Sequence, residues 1–540
     1  MNMKLRAAAV LSLAASVFLP AAPAAAGVPQ PFPRATPESQ GIPSEAVLDL
    51  VERLHAEGDW VHSYMLVRHG KVVAEGWWAP YSADERHQLY SASKAFVAMG
   101  IGYAVEERRL TLNDRVDWFF PWNVPAPRDP RAAAIRVRDL MAMASGLKSD
   151  PFNAMMTAPA GEQVRKFYEV PMDVEPGIFF RYMSGNTAML AQILRRVTGE
   201  PDLVKYLDSR LFAKLGIEDM LWARQPDGTV AGGSGFELRT EDFAKVGQLL
   251  LQNGVWKGER LLPLWWVKQA TSCQTPYGNV LDPVLALHVG TEGWEDWEVG
   301  YGYQLWMGRH ETFRLCGAFG QIVIVMPSED VVFVSNAGGG GANSKSVNAF
   351  YDAMLGKFSQ SPLPENPSAL KRLRERSAAL SITAPAAKDA AKPTPGAAAM
   401  ARRGWCAPEE PADAAKNREG PERTYFEESV KAIAFDEATD TLVVSNSFGR
   451  QELKVGRGGK WERGELEVEK PSALTISRVP GGKQPVGVSG GWTSPTELKV
   501  RICFVRSPAI VDVILVRGGG AVSVRTECQL FKRYRHPAEK

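Results

Sequence analysis

The stretch Tyr90-Ser91-Ala92-Ser93-Lys94 places a serine and a lysine three residues apart at the start of a helical pattern. At that spacing the two side chains lie on one helix face, one turn apart. A serine hydroxyl is a weak nucleophile and must give up its proton as it attacks a carbonyl. A lysine accepts that proton only where burial or nearby positive charge depresses its pKa. Phe96, Val97 and Met99 are apolar enough to bury the lysine stem. A helix N-terminus adds partial positive charge and free N–H groups, which suit an oxyanion. By itself the four-residue pattern is better read as a serine N-cap followed by an exposed lysine. The elements around it must therefore decide.

Those elements form one mixed unit from about Ala35 to Leu355 (35–358). The periodicity predicts a helix over Ser93–Arg109, with Phe96, Val97, Ile101, Ala104 and Val105 on one face. A second helix over Thr187–Val197 is stopped by Gly199. Strand patterns lie at both ends: Ser63–Val67 and Lys71–Trp77 about the turn His69-Gly70, then Gly302–Met307, Thr312–Cys316, Gln321–Met326 and Val331–Ser335. Strands from both ends with helices between them predict an α/β (α+β) arrangement, one antiparallel sheet against a helical region. A Pro- and Ala-rich stretch (359–402) reads as a linker, with a short helix at Lys371–Leu380. Beyond residue 403, short alternating runs punctuated by Gly, Pro and Asp predict an all-β sandwich or barrel. They include Ala432–Phe435, Thr441–Val444, Ala473–Ile476 and Leu498–Val505.

Several stretches in chain order resemble the serine β-lactamase-related family. They begin with Leu89-Tyr90-Ser91-Ala92-Ser93-Lys94-Ala95-Phe96 and continue with Ile135-Arg136-Val137-Arg138-Asp139-Leu140, ending in Ser145-Gly146-Leu147. Phe180-Arg181-Tyr182-Met183-Ser184-Gly185-Asn186-Thr187 looks like that family's second motif, a Tyr followed two residues later by Asn or Ser. This version is similar to class C β-lactamases, DD-carboxypeptidases, related esterases and 6-aminohexanoate-dimer hydrolases. The resemblance implies a β-lactamase/DD-peptidase-like fold and a catalytic set of Ser91, Lys94 and Tyr182. Ser91 would be acylated, Lys94 would accept or relay its proton, and Tyr182 would act with Lys94 as shuttle. Ser184 stands where many relatives have Asn and can still hydrogen-bond. Asn186 either compensates for that change or caps the following helix.

The third motif departs from the family pattern. Relatives place Lys-Thr-Gly or His-x-Gly on a strand beside the site; here the stretch is Leu315-Cys316-Gly317. Gly317 suits close backbone approach by a substrate. The Ala318 N–H is the candidate second oxyanion donor beside that of Ser91. Leu315 replaces the cation that pairs with a substrate carboxylate, which argues against efficient β-lactam or D-Ala-D-Ala hydrolysis. Arg314 is adjacent, but strand alternation points it to the opposite face. Cys316 reads as a packing residue. Gly487-Val488-Ser489-Gly490-Gly491 matches a nucleophile elbow but has no helix after it, so it reads as a glycine-rich loop. Gly338–Gly341 before Asn343 lacks the order of a phosphate loop.

Bulk properties narrow the partners. The chain has 540 residues, expected to form two or more domains, and a formal net charge of only +2, which offers nothing for nucleic acid. Lys4, Arg6, the apolar run Ala7–Leu19 and Ala24-Ala25-Ala26 predict a cleaved secretory signal (1–26) and a periplasmic or secreted protein without a membrane span. Five scattered cysteines make no disulfide framework, although Cys503 and Cys528 fall in one β-rich region, where pairing and isolated burial are both open. No metal spacing is present and no cofactor is expected. The leading expectation is an exported esterase or amidase with a small-molecule substrate. The alternatives are a cell-wall or β-lactam hydrolase and a non-catalytic peptidoglycan- or peptide-binding protein. The oligomeric state is not legible.

Overall fold

The computed structural model describes residues 31–56, 58, 60–124, 129–200, 202–275, 295–339, 341–385, 399–402, 430–468, 482–518 and 521–528. The expected signal segment, the strand Ala473–Ile476 and Cys406 lie outside these residues.

Alternating apolar residues on Val61–Arg68, Gln321–Met326 and Val331–Ala337 build the centre of a six-stranded antiparallel sheet. Its order is Lys71–Trp77, Val61–Arg68, Val331–Ala337, Gln321–Met326, Phe313–Gly317, Trp306–Met307. The expected strand Gly302–Met307 is shorter than its pattern, because Gln304 adopts φ 62° and breaks the extended backbone. Each face of the sheet buries a separate core. Met65, Val67, Leu315, Val323, Val325, Val332 and Val334 face the helices Lys94–Glu106 and Thr240–Leu251. Tyr64, Leu66, Ile322, Ile324 and Phe333 face Ser44–Ala56, Ala342–Met354 and Pro367–Ala378. This is the arrangement of mixed helices and an antiparallel sheet expected from the sequence.

Lys94–Glu106 is buried on every side from Lys94 to Ala104, rather than on one face. It is the central post of the helical region, and a helix apolar all round belongs in such a place. Gly102 allows the contact: a Cβ there would lie 2.7 Å from the Trp266 indole.

The C-terminal strands form two antiparallel sheets around a shared core. One holds Ala399–Arg402, Ala432–Asp436, Thr441–Asn446 and Gly449–Lys454; the other holds Glu462–Val468, Gly482–Ser494, Glu497–Phe504, Ile510–Gly518 and Ala521–Cys528. Leu442, Val444 and Leu453 of the first sheet meet Val486, Val488, Val500 and Val513 of the second. No closed barrel forms among the described residues; the strands make two separate sheets over one core. The glycines at 487–491 correct the loop reading: they lie within the strand Gly482–Ser494. They permit close packing there, since a Cβ on Gly490 would lie 2.7 Å from Val455. The stretch read as a linker contains the helix Pro367–Ala378, capped by Asn366, and the strand Ala399–Arg402. Cys503 is a buried thiol.

Candidate active site

The site begins at a turn rather than at an α-helical N-cap. Tyr90–Ser93 is a 3-10 segment that runs directly into the helix starting at Lys94. Tyr90 sits at φ 49°, an uncommon conformation for a bulky residue. It is buried edge-on against Phe319, with ring centroids 5.1 Å apart. Ser93 fixes the turn: its hydroxyl donates to the Tyr90 carbonyl at 2.5 Å and accepts from the Phe236 N–H at 3.1 Å. The outcome is a half-exposed Ser91 on an otherwise buried segment.

Lys94 is only 1 % exposed. Its Nζ lies 3.1 Å from Ser91 Oγ, 3.0 Å from Ser184 Oγ and 2.5 Å from the Gly233 carbonyl. Burial lowers its pKa to about 7, and the nearby Asp150 carboxylate opposes that shift. Near neutrality the amine therefore exists in both forms. The neutral form has one lone pair and is able to accept a proton.

Tyr182 presents its ring to the lysine, with Nζ 5.0 Å from the centroid. The ring stacks on Trp306 at 5.5 Å and 26°, and meets Tyr301 edge-on at 6.1 Å. Its neighbour Arg181 donates to the Leu147 and Lys148 carbonyls at 2.6 and 2.8 Å. These contacts fix the segment that carries Tyr182.

Ser184 opens the helix Ser184–Thr198. That helix start is capped from outside by Asp150, which accepts from the Ser184 N–H at 2.7 Å and the Gly185 N–H at 2.8 Å. Gly185 is needed there, because a Cβ would lie 2.4 Å from the Pro151 ring. Asn186 fills neither role expected of it. Its side chain is fully buried and its amide points to Met143 Sδ at 3.7 Å, while the distant Asp150 does the capping.

Gly317 has no room for a side chain: a Cβ would lie 2.0 Å from the Leu89 carbonyl oxygen. This glycine admits the protein's own Leu89–Ala92 turn. Ala318 follows as an exposed residue at the strand end. Two side chains fix the peptides around it. Asn343 donates to the Gly317 carbonyl at 2.8 Å and accepts from the Gly320 N–H at 2.9 Å. Gln321 donates to the Ala318 carbonyl at 3.2 Å.

Leu315 is fully buried in the helix-facing core. Arg314 lies on the other face, where it donates to the Asp296 and Met307 carbonyls at 2.8 and 3.2 Å and covers the Trp297 ring. No bulge turns it toward the lysine. Burial pushes the Cys316 thiol up, so it stays protonated.

A family profile described as Beta-lactamase matches residues 62–351. The chain belongs to the β-lactamase family. A 6-aminohexanoate-dimer hydrolase from Paenarthrobacter ureafaciens is 28% identical over 235 residues, covering 41% of this chain and 59% of that protein. A D-aminopeptidase from Brucella anthropi is 29% identical over 164 residues, covering 28% of this chain and 31% of that protein. The chain thus matches less than two thirds of either relative. A penicillin-binding protein homologue from Caulobacter crescentus covers 58% of this chain and 97% of its own, with a TM-score of 0.46 and 17% identity.

Within this β-lactamase-family chain, the structure brings Ser91, Tyr182 and Ser184 together around the Lys94 amine and sets Gly317 against the Leu89–Ala92 turn, with Ala318 the exposed residue after it. Asp150, Gly233 and Asn343 were not legible as part of it. Asp150 carried a weak signal, an acidic residue before Pro151 and near a loop glycine. Asn343 was hidden in the glycine-rich stretch dismissed as a phosphate loop. Among the described residues, no His, Cys, Asp and Glu cluster could hold a metal, and no helix is long and apolar enough to cross a membrane.

Proposed function

We propose that this chain is an exported serine hydrolase of neutral esters or amides, acting through an acyl-Ser91 intermediate. The observation that carries the reading is the buried Lys94 Nζ 3.1 Å from Ser91 Oγ. In acylation, Ser91 Oγ bonds to the substrate carbonyl carbon and its proton passes to neutral Lys94. The N–H groups of Ser91 and Ala318 hold the oxyanion. The intermediate collapses, and the leaving group takes a proton from Lys94 with Tyr182 as shuttle. Water then attacks the acyl-enzyme, losing a proton to the same pair, and Ser91 leaves as the free hydroxyl. Ser184 and the Gly233 carbonyl hold Nζ in place during both proton transfers. Export rests on the N-terminal charged and apolar pattern.

The substrate class rests on Leu315 and Arg314. The position of the family's carboxylate-binding cation is apolar and buried, and the adjacent guanidinium is committed to backbone carbonyls. A panel of p-nitrophenyl esters, short neutral amides, D-Ala-D-Ala peptides and a chromogenic cephalosporin tests this. Neutral esters or amides are expected to turn over about 10- to 100-fold faster than the carboxylate-bearing substrates, the scale of a lost charged hydrogen bond. Faster cephalosporin or D-Ala-D-Ala turnover would instead favour cell-wall chemistry. Absence of any labelling by an acylating probe would favour a binding protein.

The pH dependence follows from Lys94. Because only the neutral amine accepts the Ser91 proton, kcat/KM is expected to rise with pH through about 7. Asp150→Asn removes the negative charge that favours the protonated amine, so the acid limb is expected to move to lower pH. The asparagine oxygen can still cap the helix. A pH–rate profile with an unmoved limb in this variant would rule out Lys94 as the group titrating.

A further inference from the structure

The C-terminal sheets are not tethered at a distance. Cys503, Val505 and Ile510 lie in the same buried core as Tyr64, Leu66 and Phe333 of the central sheet. The turn between the strands Glu497–Phe504 and Ile510–Gly518 reaches the chain segment that leads into the nucleophile. The two-residue strand His87–Gln88 pairs on one edge with Phe236–Leu238. On its other edge, the Gln88 N–H donates to the Arg506 carbonyl at 2.9 Å. The next N–H, of Leu89, donates back to Phe236 at 2.8 Å. The short strand is therefore held from both sides, three residues before Ser91.

Side chains reinforce the same contact. Arg506 Nε donates to Glu85 at 3.0 Å, and Arg463 donates to Ser82 Oγ at 3.0 Å. The Tyr81 hydroxyl donates to the Ser507 carbonyl at 3.5 Å. Tyr81 also stacks on His62 at 3.8 Å, and His62 Nδ1 lies 2.9 Å from His87 Nε2. Gly487 lies flush on Pro80, where a Cβ would come within 2.2 Å of the ring.

We infer that the C-terminal domain is a positioning element for the acylation site: its 505–509 turn clamps His87–Gln88 and thereby sets the separation of the Ser91 and Ala318 N–H groups. The mechanical link is the Leu89 carbonyl, one residue beyond the clamp, which lies so close to Gly317 that a Cβ there would stand 2.0 Å from it. If the strand moves, the Leu89 carbonyl moves against Gly317, and the paired oxyanion donors lose their spacing. The turn holds the backbone that carries the reacting serine; none of its residues is assigned contact with substrate. This inference rests on the reading of Ser91 as nucleophile.

The test compares full-length wild type, Gly487→Leu and the double variant Arg463→Ala/Arg506→Ala. Gly487→Leu wedges the interface at Pro80, while the double variant removes two anchors without adding volume. Phe448→Ser, at an exposed hairpin tip, is the control and is expected to match wild type. Active sites are titrated with a fluorophosphonate, and ester turnover is expressed per titrated site. Gly487→Leu is expected to lower kcat per site and the labelling rate constant about tenfold or more, with KM within about twofold. The double variant is expected to lose about threefold or more in the same two quantities. A merely structural role would reduce the titre and leave the per-site rates at wild-type values. That result in the double variant would overturn the inference, including where Gly487→Leu fails to fold. Failure of the wild type itself to label would overturn the Ser91 reading, and this inference with it.

Discussion

Ser91→Ala is expected to abolish fluorophosphonate labelling and to cut ester turnover on the order of 10⁴-fold or more, with folding intact. Ser91 is the half-exposed residue of a buried turn, so removing its hydroxyl leaves the packing of Ala92, Ser93 and Lys94 in place. The turn itself is held by Ser93, through Tyr90 and Phe236, and not by Ser91. The melting temperature should therefore stay near that of the wild type while activity disappears. Equal labelling of wild type and variant by mass spectrometry would remove Ser91 from the mechanism. Residual turnover is expected to be small but measurable, because the proposed oxyanion donors, the N–H groups of residues 91 and 318, remain.

The second large effect is expected at Lys94. Lys94→Met keeps the stem volume and removes the proton acceptor, and turnover is expected to fall on the order of 10³-fold. The acid limb near pH 7 should vanish with it, since the group responsible is gone. Lys94→Arg is not expected to rescue the rate, because a guanidinium stays protonated at every accessible pH. Burying an amine opposes folding, so Lys94→Met should melt at or above the wild-type temperature. The Ser184 hydroxyl and Gly233 carbonyl lose a donor in this variant, which offsets part of that gain. Lost turnover with unchanged or raised stability is the signature of a group retained for function. Near-normal kcat/KM in Lys94→Met, measured with the ester that the wild type turns over best, would exclude Lys94 as the base.

The local pattern of a site survives in sequence when one short segment carries it. Ser91 and Lys94 are such a case, because helical spacing alone puts them together. Gly317 was legible as a place of close approach, but what approaches it was not. The space is taken by the Leu89 carbonyl, a contact across more than two hundred residues that no local periodicity encodes. Asp150 was missed for the same reason. It caps the helix beginning at Ser184, although a capping residue is normally sought immediately before its own helix. Asn186, inside that helix and of a good capping type, turned inward to Met143 instead. The glycines at 487–491 misled in another way. Glycine-rich sequence usually signals a loop, but here the absent side chains let a strand pack against Pro80 and Val455.

The sequence by itself determined the elements and the kind of chemistry: an antiparallel sheet with helices, a Ser/Lys pair on one helical turn, a tyrosine segment, and an apolar residue in place of a cation. The elements and the Ser/Lys pair follow from spacing and residue type, which the chain carries locally, while the tyrosine segment and the replaced cation follow from the resemblance to the β-lactamase-related family. Only the tertiary structure decided that Lys94 is buried, that its amine has three oxygen neighbours from three separate segments, and that burial brings its pKa to about 7. Only the tertiary structure, likewise, set the C-terminal turn against the strand that leads to Ser91. Desolvation and long-range packing depend on what surrounds a residue, and that is fixed when distant segments close around it.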